Sequence, residues 1–208
     1  MVKINDRPIL EHTLNNLPGE IDEAILVVGY LGHVIRDYFK DSFGGRRIRY
    51  AYQAEPKGTS DALYAAKDLI RDGLFMLLYA DDLYHPEDLR KCVSDVPMVL
   101  VKESDHPERF GVCLADENGM LLDILEKQEN PPSNLVNIGA YTLDRGIFSI
   151  PQVFLPNGEA NLAAQIGAWA KTAKIKTVKA RFWHPIGYPE DISGAEKYLN
   201  LPLNERIN

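Results

Sequence analysis

The sequence has little cysteine, no long apolar run and no excess of positive charge. Its two cysteines, Cys92 and Cys113, are too few for a disulfide framework, and we expect both thiols to be reduced and buried. No apolar run is long enough to span a bilayer, and no signal peptide precedes the first helical segment. A formal net charge of −7 argues against a nucleic-acid backbone or an anionic membrane surface as the main partner. The sequence predicts a cytoplasmic protein whose main partner is neither nucleic acid nor membrane, and it leaves open a small substrate bound at a local site.

Metal-binding histidine patterns, repeats and linkers are also missing. The spacing of His12, His33, His85 and His106 does not match that of metal ligands, which argues against a zinc site. We find no internal repeat, low-complexity tract or linker. The 208 residues fit one domain of ordinary size, so residues 1–208 are predicted to form a single domain.

Strand-like and helix-like segments alternate along the chain, which is typical of a mostly parallel sheet covered by helices. Residues 110–114 and 120–125 flank an Asp-Glu-Asn-Gly turn, which predicts an antiparallel hairpin. The predicted helices cover 8–17, 34–39, 60–70, 162–173 and 189–199; the predicted strands cover 24–28, 48–52, 74–80, 96–101, 110–114, 120–125, 136–143 and 175–182.

Residues 74–82 form an apolar run that ends abruptly in two carboxylates, Asp81 and Asp82. In an α/β protein such a run predicts a strand buried on both faces, and ligands bind outside the carboxyl ends of such strands. A carboxylate at that position is a natural ligand for Mg²⁺, which often bridges one or two Asp to substrate phosphates. The alternative is that one Asp only caps a helix that starts near Pro86. A cap needs a single Asp, so the pair favours a binding site.

Five separated motifs extend this site across most of the chain. In chain order they are Gln53-Ala-Glu-Pro-Lys-Gly58-Thr59, Ala80-Asp81-Asp82, Arg109-Phe-Gly-Val112, Glu126-Lys127 and Asn137-Ile-Gly-Ala-Tyr141, followed by Trp183 and Gly187-Tyr-Pro-Glu-Asp191. Their shared order resembles that of the sugar-1-phosphate nucleotidyltransferases, the glucose-1-phosphate thymidylyltransferase-like family. The resemblance implies a Rossmann-like three-layer α/β nucleotidyltransferase (GT-A-like) domain. It also implies that a nucleoside triphosphate and a sugar 1-phosphate are joined, with Mg²⁺, to give an NDP-sugar and pyrophosphate.

The resemblance implies a role for individual residues. Asp81 would hold Mg²⁺, and Asp81 and Lys127 would be the catalytic pair, Lys127 meeting a phosphate as a mobile point charge. Asp82 would be a neighbour that shapes the loop. The substrate contacts would come from polar side chains and from backbone that glycine leaves accessible: Gln53 and Gly58 toward the nucleotide base, with Thr59 beside them, and Gly111, Glu126, Asn137 and Gly139 toward the sugar.

These residues also have simpler structural explanations. Residues 56–58 can be a turn that ends a strand, with Thr59 or the next serine capping the following helix. Residues 126–127 can be a solvated ion pair on the surface. Gly111 and Gly139 can mark a bulge or a tight contact between strands.

The chain departs from the family pattern at its start. Family members begin with a buried strand, a Gly-rich loop with an Arg and a Pro-Lys-Pro segment, and only then reach the counterpart of residues 2–12. That loop would supply the N–H groups and basic side chains that hold the triphosphate. We therefore expect a domain that is N-terminally truncated relative to the family. We also expect a sheet that is incomplete beside strands 24–28 and 74–80, its gap filled by another chain, a neighbouring copy or a shifted segment.

A second departure lies at residues 183–187, which read Trp-His-Pro-Ile-Gly. The family usually has an Asp at the position of Pro185, and that Asp is the second Mg²⁺ ligand. Proline has no side-chain oxygen, and the imidazole of His184 is a poor match for Mg²⁺. Asp82 or water could complete the ligand shell, although nothing in the sequence requires it.

The sequence thus predicts a sugar-1-phosphate nucleotidyltransferase whose activity is impaired by the two departures. One alternative is a non-catalytic homologue that binds sugar nucleotides or regulates another protein. Another is a metal-dependent glycosyltransferase of similar fold, although the usual signature of those enzymes separates two Asp by one residue. The base, the sugar and the formation of a homo-oligomer are left open.

Overall fold

The computed structural model describes residues 1–202, 205 and 206 of the chain. The helices are α1 (Ile9–Asn16), α2 (Gly32–Phe39), α3 (Thr59–Ala66), α4 (Pro86–Lys91), α5 (Leu162–Ala170) and α6 (Asp191–Asn200). The strands are β1 (Lys3–Ile4), β2 (Arg7–Pro8), β3 (Glu23–Val28), β4 (Ser42–Phe43), β5 (Arg46–Tyr52), β6 (Phe75–Leu78), β7 (Asp82–Tyr84), β8 (Met98–Glu103), β9 (Gly111–Ala115), β10 (Leu121–Glu126), β11 (Leu135–Leu143), β12 (Val153–Phe154), β13 (Ala160–Asn161), β14 (Lys176–Lys179) and β15 (Trp183–Pro185).

A six-stranded mixed sheet forms the centre of the molecule. Its order is β10-β9-β11-β8-β14, and β6 also pairs with β11. A separate sheet of order β4-β5-β3 pairs β3 and β5 in parallel, joined by the crossover helix α2. Strands β7 and β15 form a two-stranded antiparallel ribbon. The predicted α/β class is confirmed, with the strands divided among more than one sheet.

Helices cover both faces of the central sheet and produce three layers. On one face, Ile166 and Trp169 of α5 and Leu63 of α3 share a buried cluster with Val99 and Tyr141 of the sheet. On the opposite face, Leu89 of α4 and Cys92 share a second cluster with sheet residues that include Leu100 and Ile138. This is the predicted Rossmann-like three-layer arrangement.

The sheet is interrupted between β3 and β6, as predicted. Among the described residues, β3 pairs only with β5, and β6 pairs only with β11. The prediction that residues 74–80 are buried on both faces is therefore wrong: all four residues of β6 are only half-buried. An apolar strand is left partly open because no strand covers its second edge.

The predicted hairpin is confirmed as β9 and β10, which pair antiparallel. The Oδ1 atom of Asp116 accepts hydrogen bonds from the backbone N–H groups of Asn118, at 2.9 Å, and Met120, at 2.8 Å. Gly119 adopts φ +74°, a conformation that L side chains rarely adopt. The turn chemistry that predicted the hairpin therefore also explains its geometry.

The predicted strand 175–182 is divided into β14 and β15. The buried Asp88 carboxylate is the reason, because its Oδ2 atom accepts hydrogen bonds from Arg181 N at 2.7 Å and Phe182 N at 3.0 Å. These donors are withdrawn from the sheet, so the chain leaves β14 and pairs with β7 instead. The other predicted elements are present with shifted ends.

The N-terminus of helix α4 is not capped by an aspartate. The Nδ1 atom of His85 accepts a hydrogen bond from Glu87 N at 3.1 Å, and Pro86 occupies the first helical turn. His85 is therefore the cap, and neither Asp81 nor Asp82 serves that purpose. Asp82 instead opens a strand, so the expectation that it shapes a loop is wrong.

The two cysteines are buried and free, as predicted. Burial raises the pKa of each thiol to about 12. None of the helices within the described part of the chain combines the length and apolar composition needed to cross a membrane.

Candidate functional site

Asp81 and Asp82 lie where the chain passes from β6 to β7. Asp81 is in the connecting turn and its side chain is exposed, whereas Asp82 begins β7 and is 7% exposed. Asp81 faces solvent because it lies in the turn, whereas Asp82 faces the interior because it belongs to β7, whose residues are all buried. The two adjacent carboxylates therefore have different environments.

Asp82 is held by aromatic donors. Its Oδ2 atom accepts a hydrogen bond of 2.8 Å from the indole Nε1 of Trp183 and lies 3.5 Å from the hydroxyl of Tyr84. Burial raises the pKa of Asp82 to about 7, the Trp183 hydrogen bond opposes that rise, and the nearby charge of Asp81 adds to it. Near neutral pH this carboxyl group therefore exists in both protonation states.

Asp82 is the direct cross-strand partner of Pro185, the position at which the sequence resemblance implies a carboxylate. A carboxylate is therefore present on the strand paired with Pro185, but it is buried. His184 is not available in its place, since its Nε2 atom lies 2.8 Å from the carbonyl oxygen of Asp191.

The described residues contain no group of three or more His, Cys, Asp or Glu side chains that could together hold a metal ion. One exposed carboxylate, Asp81, remains at the turn. Mg²⁺ usually keeps several waters and is often held through one or two carboxylates together with substrate phosphates. The donor set therefore fits Mg²⁺ that arrives with a phosphate ligand.

Strand β11 bulges beside this turn. Gly139 adopts φ +70°, and its N–H donates to Oδ1 of Asn137 at 3.1 Å. The hydroxyl of Tyr84 lies 3.3 Å from the carbonyl oxygen of Gly139, and a Cβ atom at this position would collide with the ring of Tyr79. The bulge explanation for Gly139 is confirmed, and one side-chain acceptor of Asn137 is used by the backbone.

Glu126 ends β10 directly opposite Gly111 of β9. A Cβ atom on Gly111 would lie 2.9 Å from Oε2 of Glu126, so glycine makes room for this carboxylate. Burial of the Glu126 carboxyl group raises its pKa, and the nearby charge of Glu159 raises this pKa further. The charge of Lys127, which is the larger opposing effect, and a hydrogen bond with the side chain of Asn161 lower it. Glu126 is half-buried, so it is not the freely solvated surface residue of the simpler explanation.

Lys127 directly follows the last residue of β10 and has an unusual backbone conformation. Its φ is +42°, and its backbone N–H donates to the carbonyl oxygen of Phe110 at 3.2 Å. A left-handed residue other than Gly, Asn or Asp is uncommon. The side chain is exposed and forms no ion pair with another described residue, so its ammonium group is free to meet a ligand.

Gln53 and Gly58 are the first and last residues of the loop between β5 and α3. The Nε2 atom of Gln53 donates to the carbonyl oxygen of Gly58 at 3.1 Å and to Oδ2 of Asp61 at 2.8 Å. The side-chain oxygen of Gln53 remains as an acceptor. Gly58 adopts φ +117° and has no space for a Cβ atom, because the backbone of Ala160 packs against it.

Thr59 is the first residue of α3, and Gly58 occupies the N-cap position without a side-chain cap. The capping explanation is therefore wrong for Thr59. Its Oγ1 atom instead accepts a hydrogen bond of 3.0 Å from Leu162 N, which ties the start of α3 to the start of α5.

The predicted nucleotide and sugar residues meet at the loop that leads into α5. A Cβ atom on Gly58 would lie 2.7 Å from Cγ of Glu159, and Glu159 in turn influences Glu126. The Asp81 turn lies beside the Gly139 bulge, since Tyr79, two residues before Asp81, donates its backbone N–H to the carbonyl oxygen of Gly139 at 2.8 Å.

The sequence prediction missed Glu159 and Asn161. A signal for Asn161 existed, because Asn immediately before an apolar helix is a favoured cap. Its Oδ1 atom accepts a hydrogen bond of 2.8 Å from Ala164 N. No comparable pattern marks Glu159.

The fold is an α/β domain in which the carboxylate turn at Asp81 lies beside the Gly139 bulge of β11. The family model for nucleotidyl transferases matches residues 1–200. The chain therefore belongs to the nucleotidyl transferase family.

Relatives in this family are similar along nearly the whole chain. The bifunctional protein GlmU of Methanocaldococcus jannaschii is 34% identical over 210 residues, which cover 100% of this chain and 50% of that protein. The UTP–glucose-1-phosphate uridylyltransferase AglF of Haloferax volcanii is 34% identical over 212 residues, which cover 96% of this chain and 86% of that protein. The chain thus spans half the length of the bifunctional relative and most of the uridylyltransferase.

A solved structure has the same fold. The apo form of a UDP-glucose pyrophosphorylase superposes with a TM-score of 0.86 at 23% identity, covering 96% of this chain and 89% of that chain. The predicted fold and the predicted family are both confirmed.

Proposed function

We propose that the chain is a sugar-1-phosphate nucleotidyltransferase, which joins a nucleoside triphosphate to a sugar 1-phosphate and releases pyrophosphate. The observation that carries this proposal is geometric: the Asp81 turn follows Tyr79, whose N–H is bonded to Gly139 of β11, and Glu126 lies opposite Gly111 on the neighbouring hairpin. The family match over residues 1–200 supports it, as does the similarity to an enzyme named for UTP and glucose 1-phosphate.

The sugar part of the substrate would bind at the ends of β9, β10 and β11. Glu126 accepts hydrogen bonds from sugar hydroxyls, and the amide nitrogen of Asn137 donates one. Gly111 and Gly139 expose backbone groups that a side chain would otherwise cover. The raised pKa of Glu126 reflects burial, and a carboxylate in that environment makes stronger hydrogen bonds than one in water.

The nucleotide would bind at the loop between β5 and α3. Gln53 presents its side-chain oxygen to the base, because its Nε2 atom already donates to Gly58 and Asp61. Gly58 offers backbone, and Thr59 lines the same loop while it anchors α5.

The nucleophile in this reaction is a phosphate oxygen of the sugar phosphate, which attacks the α-phosphorus while pyrophosphate leaves. The attacking oxygen is already an anion, so positioning and charge neutralisation supply most of the catalysis. Lys127 neutralises phosphate charge with its exposed ammonium group. Asp81 is the residue that would hold Mg²⁺, and the ion when bound would neutralise further negative charge on the phosphates. The cytoplasmic location predicted from the sequence remains part of this proposal.

A non-catalytic sugar-nucleotide-binding protein is the second candidate. The burial of Asp82 favours it, because one exposed carboxylate, Asp81, then remains at the turn to hold a metal ion. Losing one group that stabilises developing charge typically costs about a hundredfold or more in rate. We therefore expect the 208-residue chain to turn over slowly.

The test is a product analysis of the chain with several nucleoside triphosphates and sugar 1-phosphates in the presence of Mg²⁺. Equal amounts of NDP-sugar and pyrophosphate, formed slowly, are the expected result. Binding of NDP-sugars without turnover would instead establish the non-catalytic candidate. Release of a nucleoside diphosphate during transfer of the sugar to an acceptor would contradict the proposal and indicate a glycosyltransferase.

A further inference from the structure

A buried asparagine beside the proposed sugar site has polar atoms that the proposed function does not use. Asn161 is 6% exposed and ends strand β13, immediately before helix α5. Its Oδ1 atom accepts a hydrogen bond from Ala164 N at 2.8 Å and so caps the helix. A cap of this kind uses the side-chain oxygen alone, and Asp or Ser would serve equally well. The amide nitrogen, with its two N–H donors, is therefore not explained by capping.

The carboxylate of Glu126 is the acceptor for this amide group. Burial raises the pKa of Glu126, and a hydrogen bond with the side chain of Asn161 lowers it. An ionised carboxylate can only accept, and Oδ1 of Asn161 is used by the cap, so Nδ2 is the donor. Asn161 thus joins the start of α5 to the end of β10.

The space around Gly111 places Glu126 next to the capped end of α5. A Cβ atom on Gly111 would lie 2.9 Å from Oε2 of Glu126 and 3.7 Å from the Cβ atom of Ala163. Ala163 lies in the first turn of α5, two residues after Asn161. Because both atoms lie around one point, the carboxylate and the first turn of the helix are neighbours.

The backbone on both sides of Asn161 is anchored to the loop that leads into α3. Ala160 N donates to the carbonyl oxygen of Lys57 at 2.8 Å, and Leu162 N donates to Oγ1 of Thr59 at 3.0 Å. Strand β13 also pairs with β12. These bonds and the cap hold Asn161 in place, so its amide group is presented in one direction, as a group that orients a binding residue must be.

Charged and titratable groups approach Glu126 from several elements. Lys127 follows it at the end of β10, Glu159 precedes β13, and Tyr79 directly follows β6. The charge of Lys127 favours the ionised form of Glu126, and the charge of Glu159 opposes it. Asn161 differs from these two because it holds the carboxylate without adding charge and is itself buried.

We propose that Asn161 is a positioning residue of the sugar site, whose amide group holds the Glu126 carboxylate in the orientation that accepts hydrogen bonds from a sugar hydroxyl. A carboxylate with one oxygen tied to a rigid donor loses less freedom when it binds a ligand than one that rotates freely. This inference deepens the proposed function and rests on it for the ligand. The contact between the two side chains does not depend on that function.

Two variants separate positioning from capping. Asn161→Ser and Asn161→Asp both keep a favoured N-cap, so α5 should remain formed. Serine removes the amide donor, and aspartate replaces it with a second negative charge. Asn161→Ala loses the cap and the donor together, and thermal unfolding of this variant reports how much stability the side chain contributes.

A capping residue far from the site supplies the matched control. Asp144 precedes the short 3₁₀ helix Arg145–Ser149, and its Oδ1 atom accepts a hydrogen bond from Gly146 N at 2.6 Å. Asp144→Ser exchanges one favoured cap for another, as Asn161→Ser does, but touches no residue of the sugar site.

The first measurement is an NMR titration of the Glu126 carboxyl carbon in the ligand-free chain. Since the hydrogen bond from Asn161 lowers the pKa of Glu126, its removal should move the titration midpoint to higher pH in Asn161→Ser, and the added charge should move it further in Asn161→Asp. Asp144→Ser should leave the midpoint unchanged. A wild-type midpoint in both Asn161 variants would overturn the proposal, because a purely structural role in α5 predicts that result.

The second measurement is calorimetric titration with UDP-glucose and with UDP-N-acetylglucosamine at several pH values. We expect Asn161→Ser to bind about tenfold more weakly than the wild type at neutral pH, and Asp144→Ser to bind normally. As pH falls, affinity should be lost at a higher pH in Asn161→Ser, because Glu126 is protonated earlier. Wild-type affinity of Asn161→Ser for both compounds at every pH would also overturn the proposal.

The two measurements distinguish failure of this inference from failure of the proposed function. If the wild-type chain binds neither compound, the proposed function fails, and the NMR titration alone decides whether Asn161 holds Glu126. If the wild type binds and the Asn161 variants match it, only the positioning role fails. A variant that does not fold is identified by thermal unfolding, and the other Asn161 variant then decides.

Discussion

At the scale of single residues, the candidate site uses the same groups for folding and for binding. Asn137 accepts from Gly139 N, Gln53 donates to Gly58, and Thr59 accepts from Leu162 N. Substitutions at these positions would therefore alter both stability and affinity. Glu126 is a more informative position for testing binding. Among the described residues, its carboxylate makes no hydrogen bond to a backbone group, so no strand depends on it.

Glu126→Gln is expected to weaken binding of NDP-sugars by about tenfold, because a charged acceptor makes stronger hydrogen bonds than a neutral one. Calorimetric titration of the folded variant measures this. Glu117→Gln, at an exposed position in the β9–β10 turn, is the control and should bind like the wild type. An unchanged affinity of Glu126→Gln for every NDP-sugar would remove this residue from the site.

Gly139→Ala is expected to lower the free energy of unfolding by about 1–3 kcal/mol, because φ is +70° and the Tyr79 ring occupies the Cβ position. Urea denaturation gives the value. Gly19→Ala, where no atom lies within 4 Å of the added carbon, should change stability far less. Equal stability of the two variants would contradict the bulge geometry.

At the scale of elements, the β7–β15 ribbon pairs Pro185, where the resemblance implies a carboxylate, with Asp82. The sequence showed the proline and offered Asp82 as a replacement. It did not show that Trp183 and Tyr84 would bury the replacement. Burial of a carboxyl group favours its neutral form, so the ribbon makes folding depend on pH.

Asp82 is expected to destabilise the folded protein progressively as pH rises. Its pKa is raised from the ordinary 3.8 to about 7. The neutral form favours the folded state, so the associated stability is complete below about pH 4 and is lost as pH rises toward 7. Asp82→Asn keeps an acceptor for Trp183 but does not titrate. The variant should therefore become more stable relative to the wild type as pH rises through this range. Unfolding measured from pH 4 to 8 tests this, and a constant difference between the two proteins would disprove it.

Periodicity and turn chemistry predicted most elements, including the β9–β10 hairpin and the helix after Asn161. They did not predict the break between β14 and β15, because it depends on Asp88, a residue distant in sequence that takes two backbone donors. Nor did they predict that Glu159 would lie beside Gly58 in the candidate site, since its position follows from the packing of Gly58 against β13. Long-range contacts of this kind leave no local pattern in the chain.

At the scale of the whole molecule, the buried clusters extend over both faces of a sheet that is nevertheless interrupted. The interruption was predicted from the family pattern, and the structure confirms it at β3 and β6. The remaining layers are closed enough to bury both cysteines.

Neither cysteine should react with an aromatic disulfide reagent in the native protein, since burial raises both thiol pKa values to about 12 and blocks access. Both thiols should react after denaturation. Rapid labelling of the native chain would show that the interrupted sheet opens the core.

The proposed function requires that this chain hold a sugar nucleotide with Asp81 at the phosphates and Glu126 at the sugar. Calorimetric titration of NDP-sugars into wild type, Asp81→Ala and Glu126→Ala, with Mg²⁺ and with a chelator, tests it most directly. We expect Asp81→Ala to lose about tenfold in affinity only when Mg²⁺ is present, and Glu126→Ala to lose a similar factor under both conditions. Wild-type affinity in Glu126→Ala, or the same loss in Asp81→Ala with and without Mg²⁺, would contradict the account.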